Sequence, residues 1–274
     1  MSVETLFSNV NELPSIPKIV RELMDCFESE QVNADRIATI IAKDQTFAAR
    51  VLRLANSARY GVGRKVASIN NAVVLLGSNS LKTLVTASGV TAAFKEVPNL
   101  DKRRFWKDTF TVATLCKMLA KQARLDPELA FTCGMMHNIG EMLIHMGEPD
   151  QARDIDSAVE QGQDRADLET DRLHYHYGEV GESLALRWKF PDEIQKAVRQ
   201  HVHPEREASP SPYAVLIALS IYLVSAEHKH QDDAAIIAGF PQGLATAVGV
   251  TAEAAVAALT VLRAEADDID ALLG

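Results

Sequence analysis

Cysteine is scarce in this chain of 274 residues: Cys26, Cys116 and Cys133 lie far apart, and no CxxC pair occurs. Zinc or redox chemistry of the CxxC kind is therefore excluded. Each cysteine sits in an apolar helical pattern and is expected to be a buried, reduced thiol. The start, Met1-Ser2-Val3-Glu4-Thr5, lacks the basic residues and apolar run of a signal peptide. No stretch reads as long and apolar enough to cross a bilayer, so no membrane partner and a cytoplasmic location are expected. Positive charge is also in deficit: 28 Lys and Arg face 37 Asp and Glu, for a net charge of -9. Such a chain is not steered toward nucleic acid or an anionic membrane surface. No run alternates with period two long enough for a strand, and neither an internal repeat nor a low-complexity tract is present. Ser57 and Ser220 sit in no strand-turn-helix elbow, and Cys116 and Cys133 lack an activating base nearby in sequence, so covalent catalysis is set aside.

What is there is helical period. At 47% hydrophobic and 24% charged residues, the composition suits a globular protein with a substantial core, in one large domain or two modest ones. Ile16, Ile19, Val20, Leu23, Met24 and Phe27 share a face after Pro14 and Pro17. Asn33 and Asp44 are placed to cap the next two helices, and Tyr60-Gly61-Val62-Gly63 breaks the pattern. Ser68 caps a helix that Gly77 ends, and another should run from about Ser80 to Phe94. Helix resumes from about Asp101 to Arg124. The cap, proline and acid of Asp126-Pro127-Glu128 start a helix expected to carry His137. Further starts fall at Asp164, near Tyr177, at Pro191-Asp192-Glu193 and at Pro212. The alanine-rich last piece ends in Asp267-Asp268-Ile269-Asp270. The fold class is all-α, roughly a dozen helices packed ridge into groove.

Several patterns invite chemistry. The pairs His174 and His176, His201 and His203, and His228 and His230 look like chelators. Residues two apart on a helix point to nearly opposite sides, so surface or helix-end histidines are the better reading. Asn33 to Asn56 has helix-turn-helix spacing, but Arg36, Lys43, Arg50 and Arg53 make a thin reader for DNA in an acidic chain. Lys102-Arg103-Arg104 and Lys107 could hold an anion, though a solvated helix start explains them better.

A run of motifs resembles one family. Leu13-Pro14-Ser15-Ile16-Pro17, the stretch Ala49-Arg50-Val51-Leu52-Arg53-Leu54-Ala55-Asn56-Ser57-Ala58-Arg59-Tyr60-Gly61, and Ile69-Asn70-Asn71-Ala72-Val73-Val74-Leu75-Leu76-Gly77 come first. Phe105-Trp106, then Ala130-Phe131-Thr132-Cys133-Gly134-Met135-Met136-His137-Asn138-Ile139-Gly140, Gly178-Glu179-Val180-Gly181 and Trp188-Lys189-Phe190-Pro191 follow in order. From roughly Leu13 to Glu205 the chain resembles the HDOD domain, the HD-related output domain of bacterial signalling proteins. The resemblance implies an HD-like multi-helix bundle with an additional N-terminal helical layer. On that basis residues 1–100 form the N-terminal helical subdomain, 101–210 the HD-like core, and 211–274 helices that close the bundle. It also implies a regulatory role without agreed catalytic activity, in a pathway linked to cyclic-dinucleotide or two-component signalling.

True HD hydrolases surround one or two metals with a histidine, an adjacent His-Asp pair and a later aspartate, which activate water and neutralise phosphate charge. Carried over by resemblance, the first histidine falls near Asp108. The His-Asp pair becomes His137 with Asn138, and the last aspartate falls near Ser225. A further family histidine falls at Tyr177, one residue after His176, and His201 matches another. A neutral amide is a poorer ligand than a carboxylate for a hard cation. The expected site is thus a vestigial HD site or ligand pocket of Asp108, His137, Asn138, Glu141, His176, Tyr177 and His201, with Glu141 one turn beyond His137 on the same face. Neither catalytic residue, metal nor cofactor is expected. The expected partners are a signalling protein and a small ligand, not nucleic acid. The alternative is a metal-dependent phosphohydrolase in which Asp108, His137, Glu141, His176 and His201 converge as an unusual ligand set.

Overall fold

A computed structural model describes residues 2–10, 13–28, 33–56, 66–94 and 96–264. The motif segment Ser57 to Gly61, the breaker Tyr60-Gly61-Val62-Gly63 and the acidic end Asp267-Asp268-Ile269-Asp270 lie outside the described residues. The fold is all-α, with no strand among the described residues. The chain divides into two compact units, one of residues 1–14 and 94–262, the other of 15–93 and 263–274. The chain enters the first unit with α1 (Val3–Asn9). The second unit holds α2 (Lys18–Glu28), α3 (Ala34–Ile41), α4 (Gln45–Ala55) and α5 (Ile69–Ala93).

Local chemistry sets these helix starts. Asn33 Oδ1 accepts from the amides of Asp35 and Arg36, Asp44 from that of Phe47, and Ser68 Oγ from that of Asn71. Each such cap is worth about 1 kcal/mol. Asn56, the C-cap of α4, binds Val66 through both ends of its amide. Its side chain donates to the Val66 carbonyl and accepts from the Val66 amide, both at 2.8 Å. That gives the motif asparagine a structural role. α5 is broken where the sequence predicts, at Gly77, whose φ of 71° and ψ of 168° are not helical. An L side chain rarely adopts that φ, so glycine belongs there. One sequence expectation needs correction: Ile69–Ala93 is long and apolar enough to cross a membrane by length and composition. The two helices read from the sequence follow one another across the kink at Gly77, and 56% of the most apolar window of this stretch is buried within the protein.

The first unit continues with α6 (Lys102–Ala123), α7 (Pro127–Met136), α8 (Ile139–Gly147), α9 (Pro149–Glu160), α10 (Arg165–Leu173), α11 (Tyr177–Arg187) and α12 (Asp192–Gln200). It closes with α13 (Pro212–His228), α14 (Asp233–Ala238), α15 (Gln242–Val248) and α16 (Ala252–Ala264). Asp101, Asp126 and Asp164 cap α6, α7 and α10 through their first free amides. α6 lies along α7 so closely that a Cβ on Gly134 would stand 2.5 Å from the Ala113 Cα. α13, among the most apolar helices, buries Leu216, Ile217, Leu219 and Leu223 completely against α6, α7 and α12.

Residues 1–14 and 94–262 pack within the first unit. Leu6 of α1 is fully buried near Gly147 of α8, and Arg187 lies 4.3 Å over the Phe7 ring. Phe94 stacks at 6.3 Å on both Trp106 and Trp188, and the Trp188 indole donates to the Pro14 carbonyl at 2.9 Å. The spans 101–210 and 211–262 fall within one compact unit. A second correction concerns His137. The expected single helix stops at Met136, and α8 starts afresh at Ile139. His137 is the C-cap of α7, and Asn138 precedes α8 with φ -111° and ψ 10°. The break sits between His137 and Glu141, so the one-turn phase read from sequence does not carry across it.

Candidate functional site

Two helix ends bring two imidazoles together. His137 caps α7 and His201 caps α12. Each ring turns back on its own helix: Nδ1 lies 2.6 Å from the carbonyl oxygen three residues earlier, Gly134 for His137 and Val198 for His201. A carbonyl only accepts, so in both rings Nδ1 carries the proton and Nε2 a lone pair, a tautomer assigned from the network. Tyr177, the first residue of α11, then donates its hydroxyl to Nε2 of His201 at 3.2 Å. The histidine rings meet edge to face at 5.5 Å, and Tyr177 lies 5.4 Å from His201. His137 is 5% and His201 2% exposed.

Burial sets the charge state. Desolvation pushes the His137 imidazole down to about 4, opposed by its bond to Gly134. Desolvation, then repulsion from His137, holds His201 well below its ordinary value. Burial first, and then the nearby Glu169 and Glu141 carboxylates, push the Tyr177 phenol up. All three groups are therefore neutral at neutral pH.

The other residues nominated from sequence point elsewhere. The Asn138 amide donates to Thr109 Oγ1 at 2.9 Å, while the Thr109 hydroxyl donates to the Phe105 carbonyl at 2.7 Å. Asp108, next to Thr109 on α6, turns to His228, with Oδ1 3.1 Å from Nε2. Burial raises its carboxyl, and His228 and Arg104 oppose the rise. His176 begins α11: its Nδ1 accepts from the Gly178 amide at 3.2 Å, and Glu179 accepts from the His176 amide at 3.1 Å. That is a capping box with an imidazole in the place of a hydroxyl. Glu141 faces Arg165 at 3.4 Å. Among the described residues, two clusters have donor atoms close enough to share a cation: Glu141–His145–Asp156 and Asp164–Asp167–His203. Neither includes Asp108, His137, His176 or His201. Of the seven nominated residues, His137, His201 and Tyr177 form one cluster, and Asp108, Asn138, Glu141 and His176 each have other partners.

The reading from sequence missed the charged network beside this cluster. Arg165 and Glu169, one turn apart on α10, contact at 3.5 Å. Arg165 also reaches Glu141 of α8 and makes a close ion pair with Oδ1 of Asp156 on α9. Glu169 is fully buried, and its other oxygen accepts from the Tyr177 amide at 2.6 Å. Burial pushes the Glu169 carboxyl up to about 8, against the pull of Arg165 and the Tyr177 amide. Burial alone would lower Arg165, but Glu141, Glu169 and Asp156 raise it above the usual guanidinium range. Tyr177 thus joins the two groups, its amide on Glu169 and its hydroxyl on His201. The only sequence signals were two i,i+4 pairs, Arg165 with Glu169 and Glu141 with His145. Such pairs are common on solvated helix faces.

α8 and α11 meet at backbone distance here. A Cβ on Gly140 would lie 1.9 Å from the Tyr177 carbonyl oxygen and 2.8 Å from the Gly181 amide nitrogen. A Cβ on Gly178 would lie 2.8 Å from the Val202 side chain, and one on Gly181 2.7 Å from that of Val198. These motif glycines therefore set how near α11 comes to α8 and to the end of α12.

The family whose sequence model matches, over residues 13–204, is the HDOD domain. A provisionally named phosphohydrolase from Shewanella amazonensis SB2B has a solved structure 34% identical to this chain, with a TM-score of 0.83 and 98% of each chain covered. An HDOD domain protein of unknown function from Geobacter sulfurreducens is 22% identical, with a TM-score of 0.83, 98% of this chain and 96% of the other. Among curated proteins, an uncharacterised Treponema pallidum protein is 24% identical over 225 residues, 78% of this chain and 42% of its own length. The chain thus spans less than half the length of that relative.

Proposed function

Because this chain belongs to the HDOD domain family, we propose that it is a non-catalytic regulatory module with a degenerate HD metal site. It acts by binding a signalling protein or a small ligand. The observation that supports this most directly is the use made of the HD positions. His137 pairs with neutral His201, the Asn138 amide is tied to Thr109, and Asp108 is turned to His228. A phosphohydrolase centre needs anionic oxygen on its metal and an open position for water. The donors gathered at His137 are imidazoles and a phenol, which do not fit such a centre. The small-ligand part of the reading has a second candidate place. In the other unit a cavity of about 100 Å³ is lined by Asp44, Thr46, Arg50 and Ser88 beside Val20 and Phe47.

A second reading, metal-dependent phosphohydrolase, is favoured by the name of the 34% identical Shewanella protein. The deciding experiment is a screen of nucleotides and phosphodiesters with Mn²⁺, Fe²⁺ or Zn²⁺, run on wild type and His137→Ala side by side. No turnover in either is the expected result. Specific turnover lost in a folded His137→Ala protein would replace the regulatory reading with the enzymatic one.

A further inference from the structure

His145 is the one fully buried histidine of α8, and its two ring nitrogens differ in their surroundings. Nδ1 lies 3.1 Å from the Pro98 carbonyl oxygen. The carbonyl only accepts, so Nδ1 carries a proton, and in the neutral ring Nε2 presents a lone pair. Nε2 has no hydrogen-bond partner, yet it stands 3.3 Å from Oδ2 of Asp156. A lone pair facing a carboxylate oxygen in a buried site is unfavourable unless a proton or a metal cation lies between them. Glu141, one helical turn before His145, presents its carboxylate to the same point. One ligand atom from each of Glu141, His145 and Asp156 lies within 4.8 Å of the other two.

From this arrangement we propose that Glu141, His145 and Asp156 form a binding site for one first-row divalent cation such as Zn²⁺ or Mn²⁺, separate from the HD position at His137. The donor set is one imidazole and two carboxylates, which suits these cations better than Ca²⁺ or Mg²⁺. Bonds of about 2.1 Å in tetrahedral array place ligand atoms about 3.4 Å apart. His145 and Asp156 already meet that spacing, and the Glu141 ligand atom lies within 4.8 Å of both. The supporting contacts are those a metal ligand needs. The Pro98 carbonyl fixes the His145 tautomer, and Arg165 holds Asp156 by Oδ1, leaving Oδ2 toward His145. Arg165 is the cation already present, and Glu141 and Asp156 together outweigh its single charge. Partial exposure of the Asp156 and Glu141 side chains, 28% and 17%, gives an ion a way in. The site stands independently of the regulatory reading.

The test is titration of the tag-free, metal-stripped chain with Zn²⁺ and then Mn²⁺, read by calorimetry and by the thermal midpoint. The expected result is one equivalent bound and a raised midpoint. His145→Gln and Asp156→Asn should each weaken binding at least tenfold. His203→Gln, in the exposed Asp164–Asp167–His203 cluster, should leave this stoichiometry unchanged. If His145→Gln does not fold, Asp156→Asn at the half-buried end of the site carries the test. No binding at millimolar metal, or equal binding by wild type, His145→Gln and Asp156→Asn, would overturn the proposal. Failure of this titration leaves the turnover screen at His137 untouched, so the two readings fall separately.

Discussion

Gly140→Ala is the sharpest test of how the candidate site is assembled. The new Cβ would start 1.9 Å from the Tyr177 carbonyl oxygen and 2.8 Å from the Gly181 amide nitrogen. Both neighbours are backbone, so no side-chain rotation relieves the clash. α8 and α11 must part by about 1.5 Å to turn the 1.9 Å approach into ordinary contact, in an interior packed like a crystal. Overpacking of this kind costs about 1–3 kcal/mol, and a backbone neighbour puts it at the upper end or above. Replacing a helical glycine by alanine returns up to about 1 kcal/mol of helix propensity. The net expectation is a loss of about 2–3 kcal/mol. Gly243→Ala is the internal control, since Gly243 of α15 has nothing within 4 Å of its Cβ position. It should gain about 0.5–1 kcal/mol from the same propensity. Urea unfolding followed by far-ultraviolet circular dichroism reads both variants against wild type. If Gly140→Ala unfolds at or above the wild-type midpoint, the close crossing of α8 and α11 is not what positions Tyr177.

Three further outcomes are expected. His137 has a native value of about 4 against 6.5 for a free imidazole. Its contribution is full above pH 6.5 and lost as pH falls toward 4, because only the unfolded chain takes up the proton there. The total is about 3 kcal/mol, and urea midpoints at pH 7 and pH 4.5 should converge in His137→Gln; an unaltered pH profile would refute this. Tyr177→Phe deletes the hydroxyl bond to His201 and should cost about 0.5–1.5 kcal/mol in the same assay, with the helical spectrum intact. Asn138→Asp removes the donor to Thr109 and puts a carboxylate beside that hydroxyl; a loss of about 1–2 kcal/mol and no gain of phosphodiester hydrolysis are expected. Turnover appearing in this variant would show that the HD positions need only one restored ligand.

Much of the fold is legible in the sequence because helix starts are local events. Asn33, Asp44, Asp101, Asp126 and Asp164 each cap a helix by accepting from amides two or three residues on, as their positions before apolar runs predict. The break at Gly77 is equally local, a matter of backbone freedom at one residue. The stop after Met136 was harder to read, since Asn138 precedes α8 without making a side-chain cap and the apolar run continues on either side. α1 was not foreseen either: its hold comes from burial of Leu6 and Phe7 against partners about 140 to 180 residues away in the chain.

The sequence by itself determined the helical class, the family motifs and the identity of the altered pair His137-Asn138. Only the tertiary structure decided which chemistry those residues share. His137 meets His201 because α7 and α12 end side by side, and Tyr177 reaches both His201 and Glu169 because glycines let α11 lie close to its neighbours. Glu141, His145, Asp156, Arg165 and Glu169 come from three helices, and each looks like an ordinary surface charge within its own. Periodicity assigns a residue to a face of its helix. Only packing decides which face of another helix lies opposite, and so whether charges are solvated, paired or gathered around one point.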